Sequence, residues 1–285
     1  MLRRTGFLPA LLLCGALAGP CFGALAIERV DLHQFEDGPL LEASHVFLPG
    51  ETVYVSCRLT GYQVAGSEDT RRSIKLSWRF HASDAAGLSV VPDATGRIEV
   101  PIFSQDKDWR PKFNHDFLIP PFYASPGVQI ELSVVDEVGK SAAKMAVELS
   151  VRGRDVPASD TLTARNLHFQ RSETDATPLE PALYHPGEML WARFDITGFK
   201  YGPKNRYAVD YGLAILRATG DKVFEQPSAA DDTNESFYPQ HYVPGSISLN
   251  LDPTVPEGDY ILVIIMRDKV GGQSAEARTP FRIAR

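Results

Sequence analysis

Phe47-Leu-Pro-Gly-Glu-Thr-Val-Tyr-Val-Ser-Cys-Arg-Leu-Thr-Gly-Tyr62 and Tyr184-His-Pro-Gly-Glu-Met-Leu-Trp-Ala-Arg-Phe-Asp-Ile-Thr-Gly-Phe199 are two versions of one segment. Pro-Gly-Glu stands over Pro-Gly-Glu, and Thr60-Gly61 over Thr197-Gly198, at a constant offset of 137. Both segments alternate apolar and polar residues with a period of two, as a half-buried antiparallel strand requires. The next strand repeats as well. Leu76, Trp78, Phe80 and Ala82 fall opposite Val209, Tyr211, Leu213 and Ile215. Gly127 to Asp136 then answers Gly258 to Asp268. Each of these runs is followed by a glycine turn and a last strand, Ala143 to Val151 and Ala277 to Ile283. The offset drifts by a few residues between anchors, which marks loops of different length.

Many short alternating runs, Gly/Pro turns and no sustained 3.6-residue period make the chain all-β. Units of this size built this way predict two tandem antiparallel β-sandwiches, residues 27–152 and 161–285, joined by the polar linker Arg152 to Asp160. The pattern resembles the immunoglobulin-like and fibronectin-III-like modules of exported bacterial proteins. The recurring ending that carries the resemblance reads Pro256-Glu-Gly-Asp-Tyr260, alternating strand, Asp268, glycine turn and strand to Phe281. The chain departs from antibody-type domains in lacking an inter-sheet cysteine pair. The resemblance implies a fold and leaves function open.

Residues 1–26 read as a cleaved signal peptide. Arg3 and Arg4 precede an apolar run from Phe7 to Ala18, too short to span a bilayer. Ala24-Leu25-Ala26 offers a cleavage site, with Gly23 as an earlier one; a retained anchor and a lipid-modified Cys21 are the alternatives. Secretion or periplasmic residence follows. Of three cysteines, only Cys57 lies beyond this segment. It corresponds to Phe194 in the second copy, which predicts packing and not chemistry.

The chain has 285 residues, with 29 Lys+Arg against 36 Asp+Glu, a net charge of −7. Without residues 1–23, which hold two arginines and no acid, the balance is 27 against 36, or −9. Such a surface repels phosphate backbones, so nucleic acid is excluded as a partner. No nucleophile elbow, zinc-binding helix motif, phosphate loop or dinucleotide fingerprint occurs, and the seven histidines are scattered. Ser104 to Lys107 and Ser141 to Lys144 match S-x-x-K outside any helix and are set aside. No catalytic residue and no cofactor is predicted. Asp231, Asp232, Asn234 and Glu235 form a weak calcium candidate if Ala230 to Ser236 is a flexible loop; a solvated acidic loop is the plainer reading.

The remaining signal is aromatic. Phe103 to Phe117 carries Trp109 and Phe113 among charges between strands, and Phe237 to Tyr242 is its counterpart. Trp109, Phe113, Phe237, Tyr238 and Tyr242 are therefore the candidate ligand-binding residues. The same residues fit a lid over the end of each sandwich. The expected function is a non-catalytic interaction or adhesion module that binds a protein at the cell envelope through loops or a sheet edge. A pair of carbohydrate-binding modules is the alternative.

Overall fold

The computed structural model describes residues 24–67, 71–106, 109–175 and 177–284. Most of the expected signal peptide lies outside these residues. The described chain is all-β and forms two sandwiches, each closing a three-stranded sheet over a five-stranded one.

In the first sandwich the small sheet has the order β1 (Ala26–His33), β3 (Thr52–Thr60), β6 (Lys112–Leu118). The large sheet runs β2 (Val46–Phe47), β8 (Ser141–Val151), β7 (Gly127–Asp136), β4 (Ser73–Ser83), β5 (Ala94–Pro101). The second sandwich repeats both orders. Its small sheet is β9 (Thr163–Gln170), β11 (Met189–Thr197), β14 (Val243–Asn250). Its large sheet is β10 (Leu183–Tyr184), β16 (Gln273–Ile283), β15 (Gly258–Asp268), β12 (Tyr207–Arg217), β13 (Lys222–Asn234).

Register carries the repeat down to single residues. Leu76, Trp78 and Phe80 pair with Asp136, Val134 and Leu132, while Val209, Tyr211 and Leu213 pair with Asp268, Met266 and Ile264. Alternation decides what is buried: Val53, Val55, Cys57 and Leu59 point inward from β3, as do Leu190, Ala192, Phe194 and Ile196 from β11. Cys57 is fully buried, and burial pushes its thiol up to about 12. It is a packing residue.

Two positions differ from the sequence reading. The second half of Phe103 to Phe117 is strand β6, and Phe113 faces the core from it. Its ring stacks on Trp78 with centroids 4.8 Å apart. The segment Ala230 to Ser236 is not a loop either, because its first five residues belong to β13, paired with β12. Strand geometry then separates the calcium candidates. Asp231 sits opposite Asp210, whereas Asp232 turns to the other face and accepts a hydrogen bond from Tyr207 at 3.1 Å. The Asn234 side chain caps the Glu235 amide, and Glu235 pairs with Lys204 at 3.1 Å. These four residues do not converge on a point, and no metal-holding cluster of three or more His, Cys, Asp or Glu occurs among the described residues.

One buried carboxylate anchors the same end of each sandwich. Asp136 Oδ1 accepts the amides of Val138 and Gly139, and Oδ2 accepts the amide of Gln63 at 2.7 Å. Asp268 does the same with Val270, Gly271 and Lys200. Each Asp thus ties the last hairpin to the loop that leaves β3 or β11. The fit is tight: a Cβ on Gly139 would stand 2.6 Å from Asp136 Oδ2, and one on Gly271 2.4 Å from Asp268 Oδ2. Asp136→Ala leaves three backbone amides without their buried acceptor and is expected to destabilise the first sandwich by about 3 kcal/mol. Asp268→Ala is expected to do likewise in the second. Urea unfolding of each variant checks this, and two unchanged midpoints would remove the anchor.

Candidate functional site

The two anchored ends meet different fates. In the first sandwich the loops after β3 and before β6 enclose a cleft of about 340 Å³, lined by Tyr62, Arg72, Phe103, Asp106, Trp109 and Arg110 among others. A short turn builds it. Asp106 Oδ2 accepts the Phe103 amide at 2.8 Å, the Asp106 amide donates to the Phe103 carbonyl, and the Trp109 amide donates to the Asp106 carbonyl. Tyr62 donates its hydroxyl to the Trp109 carbonyl at 2.7 Å and meets the indole edge-on at 6.5 Å. Burial, reinforced by Asp106, holds the Tyr62 hydroxyl above its ordinary pKa. Phe103 is 59% exposed and Trp109 38%. The result is an amphipathic rim: aromatic faces, two guanidinium groups and one carboxylate, with Arg110 steadied by Glu28.

In the second sandwich the corresponding end is occupied by the first. Tyr238 reaches across, is 4% exposed and joins the first hydrophobic core, 5.2 Å from the Tyr123 ring. Its hydroxyl donates to Asp84 Oδ2 at 2.9 Å, while Asp84 Oδ1 accepts the amides of Ala86 and Leu88. Burial and the Asp84 charge push the Tyr238 hydroxyl far above its usual pKa, so it remains a donor. Tyr242, also buried, meets Phe122 edge-on at 5.6 Å. Around this contact lies a cleft of about 440 Å³ bounded by Asp84, Ser125, Thr197, Tyr201 and His241.

Of the five aromatic candidates, burial removes three from the surface. Phe113 is spent in the first core, and Tyr238 and Tyr242 are spent between the sandwiches. Trp109 stays accessible beside the cleft, and Phe237 is 54% exposed without lining either cleft described above. The structure adds Tyr62, Phe103, Arg72 and Arg110. Tyr62 had a signal in the sequence, since it follows Thr60-Gly61 where the second copy has Phe199, which is buried. The arginines had none, because spatial convergence of loops leaves no spacing motif.

Titratable pairs outside these ends are simple. His81 Nδ1 lies 2.6 Å from Asp93 Oδ1, and Arg79 shares that carboxylate. His33 Nε2 lies 2.8 Å from Ser56 Oγ, and its other ring nitrogen faces the Gly38 carbonyl, not an acid; both residues are buried.

No family model matches the chain, and no curated protein does. Among solved structures it is similar to the C-terminal domain of the Streptococcus agalactiae AgI/II polypeptide BspA. That match has 9% identity, a TM-score of 0.29, and covers 90% of this chain and 99% of the other. The C-terminal domain of the Streptococcus pyogenes antigen I/II-family protein AspA matches at 8% identity and a TM-score of 0.31, covering 93% and 100%. Likenesses this distant carry no weight for fold or function.

The contact between the sandwiches is testable by removing one oxygen. Tyr238→Phe keeps the ring but leaves Asp84 Oδ2 without its donor, at an expected cost of about 1–3 kcal/mol. Thermal unfolding is expected to show the loss. A variant as stable as the native chain would mean that the hydroxyl contributes nothing to the junction.

Proposed function

We propose that this protein is an exported, non-catalytic binding module whose first sandwich recruits a protein partner at the Trp109 end. The observation that carries the reading is internal to the chain. The equivalent end of the second sandwich already serves as a protein-docking surface, since it holds the Asp84–Leu88 turn of the first sandwich through Tyr238. The Trp109 end has the same anchor beneath it and the same loops around it, yet among the described residues no second sandwich packs there. Its chemistry suits a protein: large aromatic faces bury much area at small entropic cost, and the arginines and Asp106 add directional bonds.

Export rests on the basic, apolar N-terminus. Leu25 is buried in the first core, and Ile27 follows it there on β1. This favours cleavage near Gly23, which keeps Leu25, over cleavage after Ala26. Strand orders of three and five, with β2 and β10 pairing in parallel with the last strand, support the immunoglobulin-like or fibronectin-III-like assignment and a division of the chain between residues 152 and 161, the first sandwich beginning before residue 27. The large-sheet edges β5 and β13 are a poorer route. β13 carries Pro227, irregular register and several charges, and β5 ends in Pro101, features that discourage strand addition. No helix among the described residues is long and apolar enough to cross a membrane.

The test uses the immobilised chain against envelope and medium fractions of its source. The control carries Trp109→Ala and Phe103→Ala and leaves Tyr238 and Tyr242 intact, because those two hold the sandwiches together. A partner retained by the native chain is expected to lose about 2 kcal/mol or more of binding to the variant, roughly thirtyfold, while the melting temperature stays put. Equal retention by both forms would refute the assignment.

A further inference from the structure

The outer face of the small sheet differs between the two copies in a way that packing does not explain. In the first sandwich His33, on β1, is buried with both ring nitrogens engaged, one by Ser56 and one by the Gly38 carbonyl at 2.8 Å. Residues 34–40 fold over this face, and the Leu41 amide returns to the Leu32 carbonyl at 2.9 Å. The second sandwich keeps the frame. The Leu179 amide returns to the Phe169 carbonyl at 2.8 Å, after a loop one residue longer. At the offset of 137, Gln170 stands for His33 and Arg193 for Ser56, on the same register.

There the face is open. A cleft of about 530 Å³ lies beside residues 171–175, lined by Arg154, His168, Gln170, Glu173, Asp175 and Arg193. Gln170 is fully buried, yet its Oε1 has no partner, and its Nε2 reaches only the Glu173 carbonyl at 3.4 Å. Arg193 donates through Nη2 to the Glu173 carbonyl and leaves Nε unpartnered. One residue pair further along, Arg165 Nε and Asp195 Oδ1 are buried and unpartnered too. The other oxygen of Asp195 is held by Asn166 at 2.9 Å and Arg154 at 3.1 Å. These four atoms are the only buried unpartnered side-chain polar atoms among the described residues, and all sit on this face. Buried polar groups without protein partners are rare and costly, so a cluster of them calls for a physical explanation, and a bound ligand is one.

We infer that this cleft is a carbohydrate-binding site. Of the two unpartnered atoms on residues that line the cleft, Gln170 Oε1 accepts and Arg193 Nε donates, so a lone anion or cation satisfies only one of them. Sugar hydroxyls both donate and accept, and vicinal hydroxyls present both roles side by side. The local charge fits this reading, because in the lining Arg154 and Arg193 are offset by Glu173 and Asp175. Trp191 lies on the same face, in register with Gln170 and half-buried, outside the residues that line the cleft. The site is separate from the Trp109 end and does not depend on the function proposed for it.

The intact chain is tested on a glycan array of neutral hexose, N-acetylhexosamine and hexuronate oligomers, alongside Gln170→Leu, Arg193→Met and Trp109→Ala variants. At least one glycan class is expected to be retained, with a loss of tenfold or more for both cleft variants and none for Trp109→Ala. Gln170→Leu is expected to keep the melting temperature, since it deletes an oxygen that has no partner at the loss of one long 3.4 Å hydrogen bond from Nε2. This guards against an Arg193→Met variant that fails to fold. An array without a retained glycan would overturn the assignment. So would a signal that Gln170→Leu leaves unchanged, or one lost only with Trp109.

Discussion

The buried carboxylate at the end of β7 and of β15 is the constraint on which the rest is hung. Asp136 and Asp268 each gather three backbone amides from two loops, and each does so where a carboxylate is shielded from water. A buried charge is tolerable only when hydrogen bonds replace its lost hydration. Here the replacement comes from the chain that must turn at that point, so the requirement of the acid fixes the geometry of the end. The loops beside it, carrying Tyr62 and Trp109 in one copy and Phe199, Tyr201 and Tyr238 in the other, start from the same platform.

From there the arrangement is head to tail. The anchored end of the second sandwich meets the opposite end of the first, and a tyrosine crosses the boundary to reach Asp84. Such a contact leaves one anchored end without a packed sandwich among the described residues, that of the first sandwich. Its aromatics Phe103 and Trp109 stay exposed there. The small-sheet faces tell a parallel story. One copy closes over its own histidine, and the other leaves a glutamine and arginines waiting.

Much of this frame was legible in the sequence because strands announce themselves locally. The period of two, the paired Pro-Gly-Glu segments and the glycine turns located β3, β4, β7 and β8 and their counterparts, and the equation of Leu76 with Val209 holds in the pairing. What failed was the reading of segments whose state is set by distant partners. Asp231, Asp232 and Asn234 have poor strand propensity, yet pairing with β12 makes them strand. Phe113 looked like a loop aromatic until β6 turned it toward Trp78. Tyr238 and Trp109 occupy comparable loops, and nothing local distinguishes the one that is covered from the one that is free. The unpartnered atoms of Gln170 and Arg193 were beyond reach for a further reason: pairing is a matter of ångströms, and spacing along a chain does not encode it.

The most direct measurement is site-specific photo-crosslinking in the source organism, with benzoylphenylalanine at position 109 on the free end or at position 224 on the edge strand β13. The account predicts a covalent protein adduct from position 109 and none from position 224, where Phe224 is exposed but lies outside both clefts at the sandwich ends. An adduct from position 224 with none from position 109 would contradict it, and would move recognition from the end of the first sandwich to the edge of the second.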